Sequence, residues 1–325
     1  MTRTKETSVF VFPGQGSQFI GMGKDLAESF TQAREVFAEV NDALSQDLTK
    51  IMFEGPESDL NLTENTQPAL MAVSMAVMRV LEGEGGLRLS DAATYVAGHS
   101  LGEYSALTAA GALSLRDAAR LLKLRGQSMQ KAVPVGKGAM AAILGLDFDA
   151  VDAIAAQCAT LAGTAGAAAE ICEAANDNAP GQVVISGHVH AIEKAMAMAS
   201  EQGAKRAIML PVSAPFHCQL MQPAAEAMHA ALLETTLKAP LIPVIANVTA
   251  RAETDPDVIK TLLVEQVTGR VRWRESVLWM ADHGITSMTE IGAGKVLSGL
   301  AKRIHKDIAA SSVGTPADIE AFLKG

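Results

Sequence analysis

Short apolar runs that stop at glycine alternate along this chain with longer stretches whose apolar residues recur every three or four positions. SVFVF (8–12) is β-branched and aromatic and ends at Pro13-Gly14, which predicts a buried strand entering a loop. Leu26, Phe30, Val36, Phe37, Val40 and Leu44 lie on one helical face and predict a helix over 23–44. Further helices are predicted over 66–82, from LGEYSALTAAGAL (101–113), and over 115–131, with a strand in ATYVAG (93–98). Strand and helix in alternation predict a layered α/β architecture.

Between positions 139 and 210 the rhythm changes. GAMAAILGL, EICEAAN, GQVVISG and RAIML read as strands, with helices over 149–162 and 189–202 between them. That order is βαββαβ, a ferredoxin-like arrangement in about 70 residues, short enough to be a small domain inserted in a larger one. The Ala/Gly-rich AGTAGAAA (162–169) reads as its surface loop. After it the strand and helix alternation resumes: helices over 219–237, 257–267, 273–283 and 295–304, with strands in PVIAN and TSMTEIG. The boundaries are thus 139–211 for the small domain, with 1–138 and 212–325 joining into a discontinuous large one.

Composition narrows the function classes. Hydrophobic residues make up 49% of the 325 but aromatics only 4%, so Ala, Leu, Val and the 15 Met fill the interior. A formal charge of -9 argues against a general nucleic-acid surface, and no run of like charge or aromatic–basic interleaving appears. Cys158, Cys172 and Cys218 form no CxxC pair and read as reduced thiols. The N-terminus lacks a signal-peptide apolar stretch, and no apolar run approaches the ~20 residues that span a bilayer. A soluble, cytoplasmic protein is expected.

Gly98-His99-Ser100-Leu101-Gly102 fits G-x-S-x-G between a predicted strand and a predicted helix, the setting of a nucleophile elbow. Ser100 would stand at a helix N-terminus with the Leu101 N–H aimed at an oxyanion; the plainer alternative makes Ser100 an N-cap. A serine nucleophile needs a base. His99 adjoins it but should face the other side of the turn, and most other histidines fall at helix starts or on helices. His217, in the loop PVSAPFHC, could reach back over the sheet edge, or merely cap the next helix. Arg125 lies on the apolar face of its helix, where it needs a carboxylate partner or an acidic ligand, unless it snorkels out. PGQGSQ (13–18) fails as a dinucleotide fingerprint, because Phe19 stands where the third glycine belongs. Its backbone could supply a second oxyanion donor. No acid stands out as the third member of a triad.

Together GHSLGEYSAL, PGQGSQ, LLKLRGQSMQ, PFH, EQVTGRVRW and EIGAGKVLSGL resemble, in order over nearly the whole chain, the bacterial malonyl-CoA:acyl-carrier-protein transacylase family. The resemblance implies an α/β-hydrolase-like large domain with an inserted ferredoxin-like small domain. It implies Ser100 as acyl-accepting nucleophile, His217 as base, backbone amides of Gln15 and Leu101 as oxyanion hole, and Arg125 as holder of the malonyl carboxylate. Gln266 takes the position whose backbone carbonyl orients the histidine, and Asn178 lies in a segment facing the cleft. Malonyl-CoA and an acidic acyl carrier protein would be the partners, with no metal or other cofactor. Lys194, Lys205 and Arg206 are candidates for a local basic surface near the cleft. Phe216, before His217, would narrow the pocket beside C2 and favour malonyl over methylmalonyl. A serine thioesterase or esterase, a non-catalytic acyl-CoA or carrier-protein binding module, and an acyltransferase with another extender unit are the rival readings.

Overall fold

A central parallel sheet carries the large part of the molecule. The structure, a computed structural model, describes residues 7–162, 170–212 and 214–324. The strands among the described residues, in chain order, are β1 Ser8–Phe12, β2 Tyr95–Gly98, β3 Gly138–Leu144, β4 Cys172–Ala179, β5 Gln182–His188, β6 Arg206–Met209, β7 Val244–Ala246, β8 Arg251–Glu253, β9 Ser287–Ile291 and β10 Ala309–Val313. One six-stranded sheet has the order β10-β9-β1-β2-β7-β8, parallel except for β8. The second, β4-β5-β3-β6, is antiparallel throughout.

β1 explains why its sequence is continuously apolar. All five residues are buried, because helices cover both sheet faces. Phe10 and Phe12 join the core on one face, among the helices Thr63–Gly85 and Leu115–Ala132, while Val9 and Val11 join the core on the other, with Trp273 and Val277. The small sheet has its own core, where Ile143, Val183 and Ile185 meet the helices Phe148–Ala162 and Val189–Glu201. The two sheets are tied by 265–274: Asp177 N–H donates to Val271 O (3.0 Å), and Val271 N–H to Ala175 O (2.9 Å). Arg274 pairs there with buried Asp177, its Nε 2.9 Å from both carboxylate oxygens.

Several predicted elements shift. The helix over 23–44 is two, Lys24–Ser29 and Thr31–Leu44, broken where Phe30 is extended (φ -128°, ψ 131°). Phe30-Thr31 pairs an aromatic with a β-branched residue, both weak helix formers. The strand expected in 170–176 runs to Ala179, so Asn176, Asp177 and Asn178 are strand residues. The helix over 219–237 starts as a single 3₁₀ turn and is α-helical only over Gln222–Glu234. β8, β10 and the helix Pro316–Lys324 had no periodic signal: β10 is a half-exposed edge, and that helix buries only Ile319. The stretch 163–169, the core of the expected surface loop, lies outside the described residues.

Candidate active site

β2 ends at Gly98 and the helix Gly102–Ala109 starts four residues later, so the chain must reverse within one tight turn. A Cβ on Gly98 would run into the backbone of Gly102, and one on Gly102 into Phe12 O at the end of β1. Ser100, between them, has φ 54°, a left-handed conformation that costs a non-glycine residue roughly 1–2 kcal/mol. Asn247, just after β7, holds it there: its Oδ1 accepts the Ser100 N–H (2.7 Å) and its Nδ2 donates to Gly98 O (2.7 Å). The Ser100 side chain makes no capping bond; its Oγ lies 2.7 Å from His217 Nε2.

His217 is 4% exposed and also has positive φ, 57°. Its Nδ1 faces two carbonyl oxygens, Gln266 O at 2.8 Å and Gly269 O at 3.2 Å. Carbonyls only accept, so Nδ1 carries the proton and Nε2 presents its lone pair to the Ser100 hydroxyl. Burial pushes the His217 pKa down to about 3, with the nearby positive charge of Arg125 acting the same way. The imidazole is therefore neutral at physiological pH. No carboxylate bonds to it among the described residues.

Arg125 is 1% exposed and belongs to the helix Leu115–Ala132, whose apolar face is the one buried. Nη1 donates to Gln67 Oε1 (2.8 Å); Nη2 donates to Gln266 Oε1 (2.9 Å) and to Ser100 Oγ (3.2 Å). Its Nε is buried without a partner among the described residues. The guanidinium thus neither snorkels nor sits in an internal ion pair among the described residues.

A cavity of about 250 Å³ opens between the two sheets at this point. Gln15, Ser100, Leu101, Arg125 and His217 line it from the six-stranded side, with Phe216 beside them. Met140, Asn176, Asn178 and Val184 line it from the small sheet. The backbone N–H groups of Gln15 and Leu101 donate to no protein acceptor among the described residues. His99 also lines this cavity, but its partners lie away from Ser100: its Nε2 is 2.8 Å from Asn178 Oδ1 and its ring is tilted against Trp273. Lys194, Lys205 and Arg206 are exposed on the small-sheet unit. Among the described residues no group of three or more His, Cys, Asp or Glu side chains is placed to hold a metal ion, and no helix is long and apolar enough to cross a membrane.

Sequence reasoning missed three buried polar groups. Gln67 holds Arg125, and Asn247 holds the turn. The 1%-exposed carboxylate of Glu103 accepts the Asn247 N–H (2.9 Å) and the Gln266 side-chain Nε2–H (2.9 Å). Burial raises the Glu103 pKa to about 7. Glu103 was visible within the GHSLGEYSAL motif, but an acid in a helix's first turn reads as an ordinary dipole partner. Gln67 and Asn247 carried no signal, since neither breaks its local pattern.

A family model described as acyl transferase domain matches residues 9–315. The malonyl CoA-acyl carrier protein transacylase of Escherichia coli (strain K12) is 47% identical over 315 residues, covering 97% of this chain and 98% of that protein. The protein of the same name from Bacillus subtilis (strain 168) is 45% identical, over 97% and 96% respectively. Among solved structures, an acyl-carrier-protein-S-malonyltransferase from Bartonella henselae is 57% identical, covers 98% of each chain and superposes with a TM-score of 0.93.

Proposed function

The chain belongs to the acyl transferase domain family, and from that premise we infer that it is an acyltransferase moving the malonyl group of malonyl-CoA to the phosphopantetheine thiol of acyl carrier protein. A structural neighbour at 42% identity and TM-score 0.92 is a malonyl-transacylase in complex with a type II PKS acyl-carrier protein. The six-stranded unit, 1–138 with 212–325, reads as an α/β-hydrolase-like catalytic domain, and 139–211 as a ferredoxin-like insertion. The fatty-acid synthesis role belongs in the cytoplasm, and the transfer calls on no cofactor besides the CoA thioester itself.

The carrying observation is the position of Ser100 Oγ, 2.7 Å from a neutral imidazole and 3.2 Å from a buried guanidinium. In the first half-reaction Ser100 Oγ attacks the thioester carbon while its proton passes to His217 Nε2. The oxyanion settles against the Gln15 and Leu101 amides, such donors being worth roughly 3 kcal/mol each. The C–S bond breaks, coenzyme A leaves with the proton from His217, and malonyl-Ser100 remains. In the second half the carrier thiol gives its proton to His217 and attacks the ester; Ser100 recovers the proton as its oxygen leaves.

Arg125 selects the acyl group. A desolvated guanidinium with spare donor capacity suits a malonyl carboxylate, whereas an acetyl group leaves that charge unpaired. The same pairing helps the base: Arg125 is a cause of the low His217 pKa, and a carboxylate on it offsets that repulsion. Phe216, buried against the cavity, favours the smaller extender.

Intact-mass measurement after mixing with malonyl-CoA tests this reading. One malonyl adduct, absent in Ser100→Ala and discharged by added carrier protein, is the expected result. An adduct on Ser100→Ala, or steady hydrolysis of malonyl-CoA at the transfer rate without carrier, would overturn it.

A further inference from the structure

Two buried charges in this site lack an ion-pair partner among the described residues, and one side chain stands between them. Arg125 and Glu103 are each 1% exposed, and each has only neutral hydrogen-bond partners there. A lone buried charge is expensive unless an opposite charge balances it. Gln266 bridges them: its Oε1 accepts from Arg125 Nη2 at 2.9 Å, and its Nε2 donates to Glu103 Oε2 at 2.9 Å. The amide dipole thus points its negative end at the cation and its positive end at the anion. The reversed amide would set NH₂ against guanidinium and oxygen against carboxylate, so both charges fix one orientation. In that orientation Nε2 also reaches Ser100 O (3.0 Å).

We propose that Glu103 is the counter-ion of Arg125, coupled through the side-chain amide of Gln266, and that this spaced pair sets how strongly the site prefers an acyl donor bearing a carboxylate. The inference rests on the reading of Arg125 as carboxylate holder. A direct ion pair would occupy the guanidinium and compete with substrate. A pair spaced by one amide compensates the buried charge while Nη2 still faces Ser100 and the cavity. Glu103 is a positioning residue, since it touches neither substrate nor Ser100 Oγ. The charged or titratable groups facing it are Arg125 from the helix Leu115–Ala132 and Tyr104 on its own helix; Asn247 and Gln266 are neutral. With its pKa near 7, the carboxylate is mostly protonated at pH 6 and mostly ionised at pH 8. Ionised Glu103 repels an incoming malonyl carboxylate and leaves an acetyl group unaffected by charge.

The test compares Glu103→Gln with wild type, using malonyl-CoA and acetyl-CoA as donors. Glutamine keeps the size and an acceptor oxygen but removes the charge. At pH 8 the malonyl-to-acetyl ratio of kcat/KM should rise about tenfold in Glu103→Gln, mainly through a lower KM for malonyl-CoA. At pH 6 the two proteins should differ by less than about twofold, because wild-type Glu103 is then itself mostly neutral. A purely structural role would weaken both donors alike and leave the ratio flat at both pH values, which overturns the proposal. Arg125→Ala separates the two layers. If it depresses both donors equally, the carboxylate-holder reading fails; if it is selective while the Glu103→Gln ratio stays flat, only the counter-ion fails. Should Glu103→Gln not fold, the wild-type ratio decides: a fall between pH 6 and pH 8 supports the pair, and a constant ratio refutes it.

Discussion

Replacing Gly126 by alanine sets helix propensity against packing beside the charged group of the site. Within Leu115–Ala132 an alanine should gain roughly 1 kcal/mol in backbone preference. A Cβ there would lie 2.5 Å from Glu64 Cα and 2.7 Å from both Glu64 N and Thr63 O, backbone atoms with no rotamer to yield. Ordinary contact begins near 3.4 Å, so the helices Leu115–Ala132 and Thr63–Gly85 must part by about 0.9 Å (3.4 less 2.5). Overpacking of this kind costs roughly 1–3 kcal/mol, at the upper end against backbone. Packing wins, and Gly126→Ala should lose a net 1–2 kcal/mol, roughly 1.5–3 °C in Tm for a protein of this size. The displacement also separates Arg125 from Gln67, which sits on the opposite helix 2.8 Å away. Misplacement near 1 Å costs up to about a hundredfold in rate, and it should fall more heavily on malonyl-CoA than on acetyl-CoA. Gly299→Ala, inside the helix Val296–Ile304 with nothing within 4 Å of the new carbon, is the control and should gain stability. Urea denaturation of both variants reads the balance. A Gly126→Ala protein as stable as wild type and unchanged in donor preference would refute the reasoning.

Other perturbations follow from the same contacts. Glu103 has its pKa raised from 4.5 to about 7 in the folded protein, so from pH 4.5 to 7 the folded state binds the extra proton and stability falls as pH rises. His217 is lowered from 6.5 to about 3, so from pH 6.5 to 3 the unfolded state binds the extra proton and stability falls with acidification. Between pH 4.5 and 6.5 the two slopes oppose one another; Glu103→Gln removes one, and against wild type its stability should drop by about 1.4 kcal/mol per unit of acidification in that window, read by urea melts at several pH values. Asn247→Ala strips the Ser100 N–H and Gly98 O of their partner and should cost about 2–3 kcal/mol with a large loss of kcat; wild-type kcat would show the turn is held by its glycines alone. Arg274→Met leaves Asp177 buried and unpaired where the two sheets are tied, and should destabilise by about 3–5 kcal/mol in the same denaturation assay.

How much of this was legible in the sequence depended on how local the cause was. β1 announced itself because burial on both faces demands a continuous apolar run, and the turn at Ser100 because glycines four apart between a strand and a helix mark a close strand–helix approach. Arg125 was legible as an exception to its helix's apolar stripe. The polar end of β4 was cut short in the sequence reading because its residues answer to distant partners: Asp177 to Arg274 and Asn178 to His99. Gln67 and Asn247 were invisible for a related reason. Each lies beside the site only through contacts 58 and 147 residues apart in the chain, to Arg125 and Ser100 respectively. What the sequence did not show for His99 is that the small sheet brings Asn178 and a cavity wall to its side of the turn.

The same geometry gives a physical reason why, among the described residues, no carboxylate bonds to His217. A carboxylate bonded to His217 Nδ1 would raise the imidazole pKa and stabilise its cationic form. It would also lie near Arg125, whose charge already acts on His217, and would compete with an incoming carboxylate for that guanidinium. Two carbonyl oxygens fix the ring and its tautomer without adding a charge. Glu103 is held a full amide away from Arg125, so the guanidinium meets a neutral oxygen on that side. On the proposed reading of Arg125 as carboxylate holder, an acid bonded to His217 would suit a hydrolase for uncharged esters better than a transferase whose donor brings its own carboxylate. If Arg125 holds the donor carboxylate as proposed, the lack of a carboxylate on His217 among the described residues and the buried arginine answer to one constraint, and replacing Arg125 with a neutral residue is the change that should make an acid beside His217 tolerable.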